Sequence, residues 1–278
     1  MNSKLFHSIK AAFSFYWRAQ TVYNIHSPKV YDFTQAVIED KRYFYIFDDA
    51  EKIRRQLLNN KTSIAVTDFG AGSRKNIGTN NKRISEIAKT SLSTPSQCRF
   101  LFRLINWLQP KVILELGTSL GISMLYQSSA AKQAQVFTLE GDPNIANIAR
   151  NILQHSPNKQ IKCITGNFKE TLPALISNIE KIDYALLDGN HQYAPTLEYF
   201  EMLLPKMSTN GLLVFDDIYW SEEMTAAWEE IKLHPQVYTT IDVFDYGIVL
   251  FSELQRIEKQ HFSILPARYK PFILGFWR

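Results

Sequence analysis

Cysteine is almost missing from this sequence: Cys98 and Cys163 are the only two, and neither sits in a C-x-x-C pair or near a histidine at metal-ligand spacing. That argues against a disulfide scaffold and a structural zinc site, and fits a reducing cytoplasm. Long apolar runs are lacking too. No uncharged stretch approaches the roughly 18 residues a membrane helix needs. The N-terminal run Ala11 to Trp17 is bracketed by Lys10 and Arg18 without a small-residue cleavage site, so a soluble, unexported protein is expected. A strong surplus of one charge is also absent. The 31 basic and 27 acidic side chains leave a net charge of +4, far from the dense basic surface of a dedicated nucleic-acid binder. With 11 Gly, 11 Pro and 45% hydrophobic residues, disordered, collagen-like and low-complexity classes are excluded. A chain of 278 residues then implies one main core with an appendage.

What is present is an alternation. Between Val112 and Phe251, short β-rich apolar runs (Val112–Leu116, Gln135–Leu139, Ile161–Ile164, Asp183–Leu187, Gly211–Phe215) alternate with amphipathic segments, the pattern of βαβ units around a parallel sheet. Two further stretches, Val237–Phe244 and Gly247–Phe251, are separated only by Asp245 and Tyr246. They must pair antiparallel, since a parallel crossover needs about a dozen residues. Upstream of about residue 93 the patterning predicts helices over Lys4–Arg18, Pro28–Ile38, Asp48–Leu58 and Lys82–Thr90, with Ser27 as a cap before Pro28. Thr94-Pro95-Ser96-Gln97 is a capping-box pattern opening another helix.

The segment Ile113-Leu-Glu115-Leu-Gly117-Thr118-Ser119-Leu-Gly121 runs from an apolar strand through a glycine turn into a helix, a geometry that aims free backbone amides at a ligand. Its spacing is Gly-x-x-x-Gly rather than the Gly-x-Gly-x-x-Gly of dinucleotide binders. Twenty-five residues past Glu115, at the end of the next strand, stands Glu140, where an acid in this architecture accepts hydrogen bonds from ribose hydroxyls. An adenosine-containing ligand is implied. Val66-Thr67-Asp68-Phe69-Gly70-Ala71-Gly72-Ser73 also reads as strand, acid and glycine turn. No second strand ending in an acid follows it, so it is set aside as the primary site; with Arg74 and Lys75 it remains either a loop over the acceptor or a surface turn.

On Glu115-x-Gly117-x-x-x-Gly121, Glu140 and the strand order, the chain resembles class I S-adenosylmethionine-dependent methyltransferases over about residues 93–252. With Ser123, Asp188, Asp216 and Asp217 added, it looks like their catechol O-methyltransferase branch, including metal-dependent sugar O-methyltransferases. The resemblance implies an α/β Rossmann-like fold with a mostly parallel seven-stranded sheet ending in an antiparallel hairpin. It implies S-adenosylmethionine as cofactor: Gly117, Ser119 and Ser123 at the methionine end, Glu140 on the ribose, Asn167 and Phe168 beside adenine. Glu115, Thr118, Gly121, Gly141 and Asp188 belong to the same cofactor-binding set.

Asp188 ends the fourth strand and His191 follows three residues later; Asp216 and Asp217 end the fifth. Carboxylates crowded at an apolar sheet edge repel one another, and a hard divalent cation is the common remedy. Magnesium on Asp188, Asp216 and Asp217 is the expectation, the last of these replacing the Asn of the resembled branch. His191 suits removal of a proton from an acceptor hydroxyl. Each residue also has a plainer reading: His191 as a surface or capping residue, Asp188 as a partner of the methionine ammonium, and one of Asp216 and Asp217 as a support for the turn before Ser221. The expected organisation is a helical extension over 1–92 that caps or lids the acceptor pocket, a methyltransferase domain over 93–252 and a basic, aromatic tail over 253–278. The expected acceptor is a small molecule with a hydroxyl group. Methylation of RNA or another macromolecule, suggested by the tail, and a non-catalytic cofactor-binding scaffold are the alternatives. Composition argues against nucleic-acid and membrane partners, and a homodimer stays open. The apolar positions of the first helix, Leu5, Phe6, Ile9, Phe13, Tyr16 and Trp17, are expected to be packing surface, with a lid or a membrane-facing helix as the sharper alternatives.

Overall fold

Five apolar runs become parallel strands, and two of the caps read from the sequence, Thr94 and Ser221, are made. The computed structural model describes residues 3–67, 79–252 and 258–270. In chain order the elements are α1 (Ser3–Arg18), α2 (Pro28–Phe33) with a π-helical continuation over Thr34–Ile38, α3 (Tyr45–Asn59), β1 (Ser63–Thr67), β2 (Thr79–Arg83), α4 (Ile84–Ser91) and α5 (Pro95–Leu108). Then follow β3 (Val112–Leu116), α6 (Ile122–Ala130), β4 (Gln135–Glu140), α7 (Pro143–Leu153), β5 (Ile161–Thr165), α8 (Phe168–Ile176), β6 (Ile182–Leu187) and α9 (Tyr193–Leu203). The chain continues through β7 (Met207–Asp216), α10 (Glu222–Leu233), β8 (Thr239–Asp242), β9 (Tyr246–Leu250) and β10 (Gln260–Ser263). Thr94 and Gln97 close the expected capping box on α5, Asp142 caps α7 and Ser221 caps α10. Ser27 makes no side-chain cap bond to α2.

The main sheet has the order β10-β8-β9-β7-β6-β3-β4-β5. β3 pairs parallel with both β4 and β6, so successive strands run outward from β3 on both sides, and the carboxyl ends of β3 and β6 form the crevice where open α/β sheets bind ligands. β9 is antiparallel to β7 and to β8, the expected terminal hairpin. The sheet has eight strands rather than seven. β10 pairs parallel with the edge strand β8; its sequence, Gln-His-Phe-Ser, carries one apolar side chain, so pairing with an available edge, not local pattern, makes it a strand.

The β6 and β7 side chains alternate between two cores. Tyr184, Leu186, Leu212 and Val214 join the first, with Leu101, Leu104 and Ile105 of α5. Ala185, Leu187, Leu213 and Phe215 join the second, with Phe200 of α9 and Trp228 of α10. That period of two on a sheet buried on both faces explains the nearly continuous apolar runs.

The extension is not wholly helical. β1 and β2 form an antiparallel pair beside α7, and the loop between them, with Asp68–Ser73, Arg74 and Lys75, lies outside the described residues. In α1 the expected packing face is reversed. Phe15 and Ala19 are buried in the second core, whereas Phe6, Ile9, Phe13, Tyr16 and Trp17 are exposed. The reason is that polar anchors at both ends, His7 on Thr225 and Arg18 on Tyr219 and Asp242, turn the opposite side inward. Of the tail, Phe262 packs against the first core and Tyr269 is exposed; Phe272, Phe276 and Trp277 lie outside the described residues. Among the described residues no helix is long and apolar enough to cross a membrane.

Candidate active site

At the carboxyl end of β3 the chain turns through Gly117 (φ 100°), Ser119 (φ 48°) and Gly121 (φ 83°) into α6. A Cβ at Gly117 would stand 2.0 Å from the Asp188 carbonyl oxygen. Glycine is required there because the turns after β3 and β6 touch, Asp188 N donating to Leu116 O at 2.9 Å. At Gly121 a Cβ would meet the Ala149 backbone at 3.2 Å, so this glycine lets α6 and α7 approach.

Glu115 lies under the turn, fully buried. It accepts from Ser123 Oγ (2.9 Å), Gln127 Nε2 (2.8 Å) and Thr138 Oγ1 (2.7 Å), and burial raises its pKa to about 7. The carboxyl group ties β3, β4 and α6 together from behind. Glu115, Thr118, Gly121 and Ser123 therefore stand outside the cavity lining. The methionine-end role that resemblance implied for Ser123 finds its hydroxyl committed to Glu115 instead.

A cavity of about 970 Å³ opens over the carboxyl ends of β3, β4, β6 and β7. Gly117, Ser119, Glu140, Gly141, Asn167, Phe168, Asp188, His191, Asp216 and Asp217 all line it, so most of the residues singled out in the sequence share one space. Glu140 Oε2 accepts from Ser119 N at 2.8 Å and Oε1 from Asp142 N at 3.0 Å. These bonds aim the carboxylate along the turn, while burial raises its pKa.

The Asp188 and Asp216 carboxyl groups lie close enough to act on each other's ionisation. Desolvation, then the Asp216 charge, pushes Asp188 well above the usual carboxylate range. Desolvation, then Asp217, raises Asp216 to about 7. The Asp216 Oδ1 atom is buried without a hydrogen-bond partner. Two close acids with an unsatisfied oxygen lone pair suit a hard cation. Asp217, at φ 56°, has already left the strand, as sharing a site with Asp216 requires. Yet among the described residues no group of three or more His, Cys, Asp or Glu side chains is arranged to hold a metal ion, so the expected three-carboxylate cluster is not assembled. His191 Nε2 lies 3.6 Å from Asp188 Oδ1 and its ring 6.0 Å from that of Trp220; burial lowers its pKa, favouring neutral imidazole.

Ser119, Asn190 and Asp217 all have left-handed backbones, at φ 48°, 58° and 56°, and all three line the cavity. Backbone strain of this kind concentrates at ligand sites. The sequence leads to the expectation that the extension shapes the acceptor pocket but does not single out Lys82, Glu86, Ile87 and Ser91, which with Val66 and Thr67 line the opposite wall. Asp142 fastens that wall: Oδ1 caps α7 by accepting from Asn144 N and Ile145 N, both at 2.8 Å, and Oδ2 accepts from Thr67 N at 2.6 Å. Asp142 before Pro143 was readable as a cap, but its second bond depends on a strand 75 residues away. Ser91 Oγ meets Ser119 Oγ at 2.8 Å, closing the wall onto the glycine turn.

Residues 114–218 match a family described as a methyltransferase domain. A catechol O-methyltransferase from Niastella koreensis is 33% identical over 128 residues, 45% of this chain and 57% of that protein. O-methyltransferase hkm8 from Aspergillus hancockii is 26% identical over 146 residues, 50% of this chain and 57% of its own length. The chain thus spans little more than half the length of these curated relatives. An O-methyltransferase from Bacillus cereus, solved in complex with SAH, superposes with a TM-score of 0.55 at 16% identity, covering 78% of this chain and 99% of that one; it shares the fold. Strand order, glycine turn and the acid after β4 are consistent with these matches: residues 114–218 match a methyltransferase domain, and the chain is similar in part to a catechol O-methyltransferase.

Proposed function

We propose that this protein transfers a methyl group from S-adenosylmethionine to a hydroxyl of a small molecule. One observation carries the reading: the turns after β3, β4, β6 and β7 bring an amide-rich glycine turn, the Glu140 carboxylate, the Asp188–Asp216 pair and His191 into one cavity. Its 970 Å³ lies at the upper end of small-ligand sites, enough for a nucleoside donor and a modest acceptor side by side.

Glu140 takes the ribose hydroxyls, Gly117 and Ser119 offer backbone toward the methionine end, and Asn167 and Phe168 flank the base. At the other end His191, held neutral by burial, accepts the acceptor's hydroxyl proton at a ring nitrogen while Trp220 shelters the space beside it. The bound donor would supply a sulfonium methyl, whose bond to sulfur breaks as the bond to the acceptor oxygen forms and S-adenosylhomocysteine leaves, so transfer would be governed mainly by alignment of the two substrates. A divalent cation such as magnesium, if held by the Asp188 and Asp216 carboxyl groups, would supply acidification and orientation of the hydroxyl.

The test is His191→Ala with a labelled donor and a panel of catechol, phenol and sugar hydroxyl acceptors. Turnover should fall by about two orders of magnitude, with donor affinity unchanged by calorimetry. Unchanged turnover would remove His191 from the reaction, and no product from the wild-type protein across the panel would refute transfer to small hydroxyl acceptors.

A further inference from the structure

Helix α1 has two apolar faces, and the fold uses one. On the inner face Phe15 is buried with its ring 5.4 Å from that of Phe244. His7 Nε2 lies 3.0 Å from Thr225 Oγ1 on α10. Arg18 donates to the Tyr219 hydroxyl, to Asp242 Oδ2 at 3.2 Å and to Ser263 Oγ at 3.2 Å. These anchors lie toward both ends of the helix and reach α10, β8 and β10, so the helix cannot roll to hide its other side.

That other side carries Phe6, Ile9, Phe13, Tyr16 and Trp17, which are 58%, 56%, 71%, 42% and 77% exposed. Their spacing puts them on one stripe. Lys4, Lys10 and Arg18 are the charged residues of the helix, which contains no Asp or Glu. The Tyr16 hydroxyl donates to the Tyr269 carbonyl, which brings the exposed ring of Tyr269 and the Arg268 guanidinium stacked over it to the edge of the stripe.

We propose that α1 is an interfacial anchor that lays this stripe into an anionic lipid surface. A helix of 16 residues is about 24 Å long, too short to cross a bilayer, but suited to lying in its plane. Trp and Tyr favour the headgroup level, and Lys10 on the helix and Arg268 at the edge of the stripe supply positive charge that complements anionic headgroups. The stripe is a convex ridge rather than a groove. A lipid surface yields around such a ridge, whereas a second copy would press the same ridge and the same cations against each other.

The experiment is co-sedimentation of the full chain with phosphatidylglycerol–phosphatidylcholine vesicles and with phosphatidylcholine vesicles alone, at low and high salt. The expected result is binding to the anionic vesicles that weakens with salt and on neutral vesicles. Phe13→Glu and Trp17→Glu should each reduce it at least about tenfold, with thermal unfolding unchanged because both side chains project outward. No binding to anionic vesicles, or equal binding by both variants, would overturn the proposal. So would a concentration-dependent dimer in sedimentation velocity that Phe13→Glu abolishes, since a second copy would then be the occupant.

Discussion

Removing the Glu140 carboxylate tests the cofactor site most directly. Its two oxygens accept from Ser119 N and Asp142 N, and a carboxylate lining the cavity has acceptor capacity beyond these bonds for the two ribose hydroxyls. A hydrogen bond to a charged acceptor contributes about 1.5 kcal/mol at the low end. Glu140→Ala therefore loses about 3 kcal/mol, a weakening of S-adenosylhomocysteine binding of about a hundredfold. Glu140→Gln keeps one acceptor oxygen and should weaken binding about tenfold. Its amide nitrogen must also face a backbone donor, so the fold should lose about 1–3 kcal/mol. Titration calorimetry at pH 8 measures the affinity, and thermal unfolding measures the second effect. The ribose bonds are the same before and during transfer, so turnover at saturating donor should stay within about twofold of wild type. A folded Glu140→Ala protein that binds S-adenosylhomocysteine within about twofold of wild type would show that the turn and this acid do not hold the nucleoside.

Gly117→Ala should destabilise the protein by at least about 2 kcal/mol, because the new Cβ would overlap the Asp188 carbonyl; an unchanged melting temperature would mean the two turns are not in contact. Glu115 gives a pH signature. Its folded pKa is raised from 4.5 to about 7, so the stability it contributes is fully present below pH 4.5 and lost as pH rises through about 7. The loss is about 3 kcal/mol, and the unfolding free energy of Glu115→Gln relative to wild type should rise by that amount across the window in denaturant titrations. Parallel curves would contradict the burial argument. Chelation followed by magnesium add-back should abolish and restore turnover if Asp188 and Asp216 hold a cation; full activity after exhaustive chelation would assign their raised pKa values to burial and to each other's charge alone.

The βαβ alternation, the terminal hairpin and the caps at Thr94 and Ser221 were legible in the sequence because they are local: period, cap and turn chemistry act within a few residues. The glycine turn, Glu140, Asp188 and Asp216 were legible for a related reason, since each marks the end of a recognisable strand, and strand ends meet at the switch point of an open sheet. Other features needed the folded chain. Resemblance puts Ser123 and Glu115 among the cofactor-binding residues; only the packing of α6 on β3 turns them toward each other. The wall carrying Lys82, Glu86 and Ser91 reaches the cavity through the Asp142–Thr67 bond, which no local pattern encodes. β10 exists because β8 offers an edge, and α1 shows its aromatic stripe to the outside because His7 and Arg18 find distant partners. What the sequence determined by itself is whatever short-range backbone and side-chain preferences settle. Which of two plausible faces is buried, and which polar atoms meet, was decided only when elements far apart in the chain competed for the same partners.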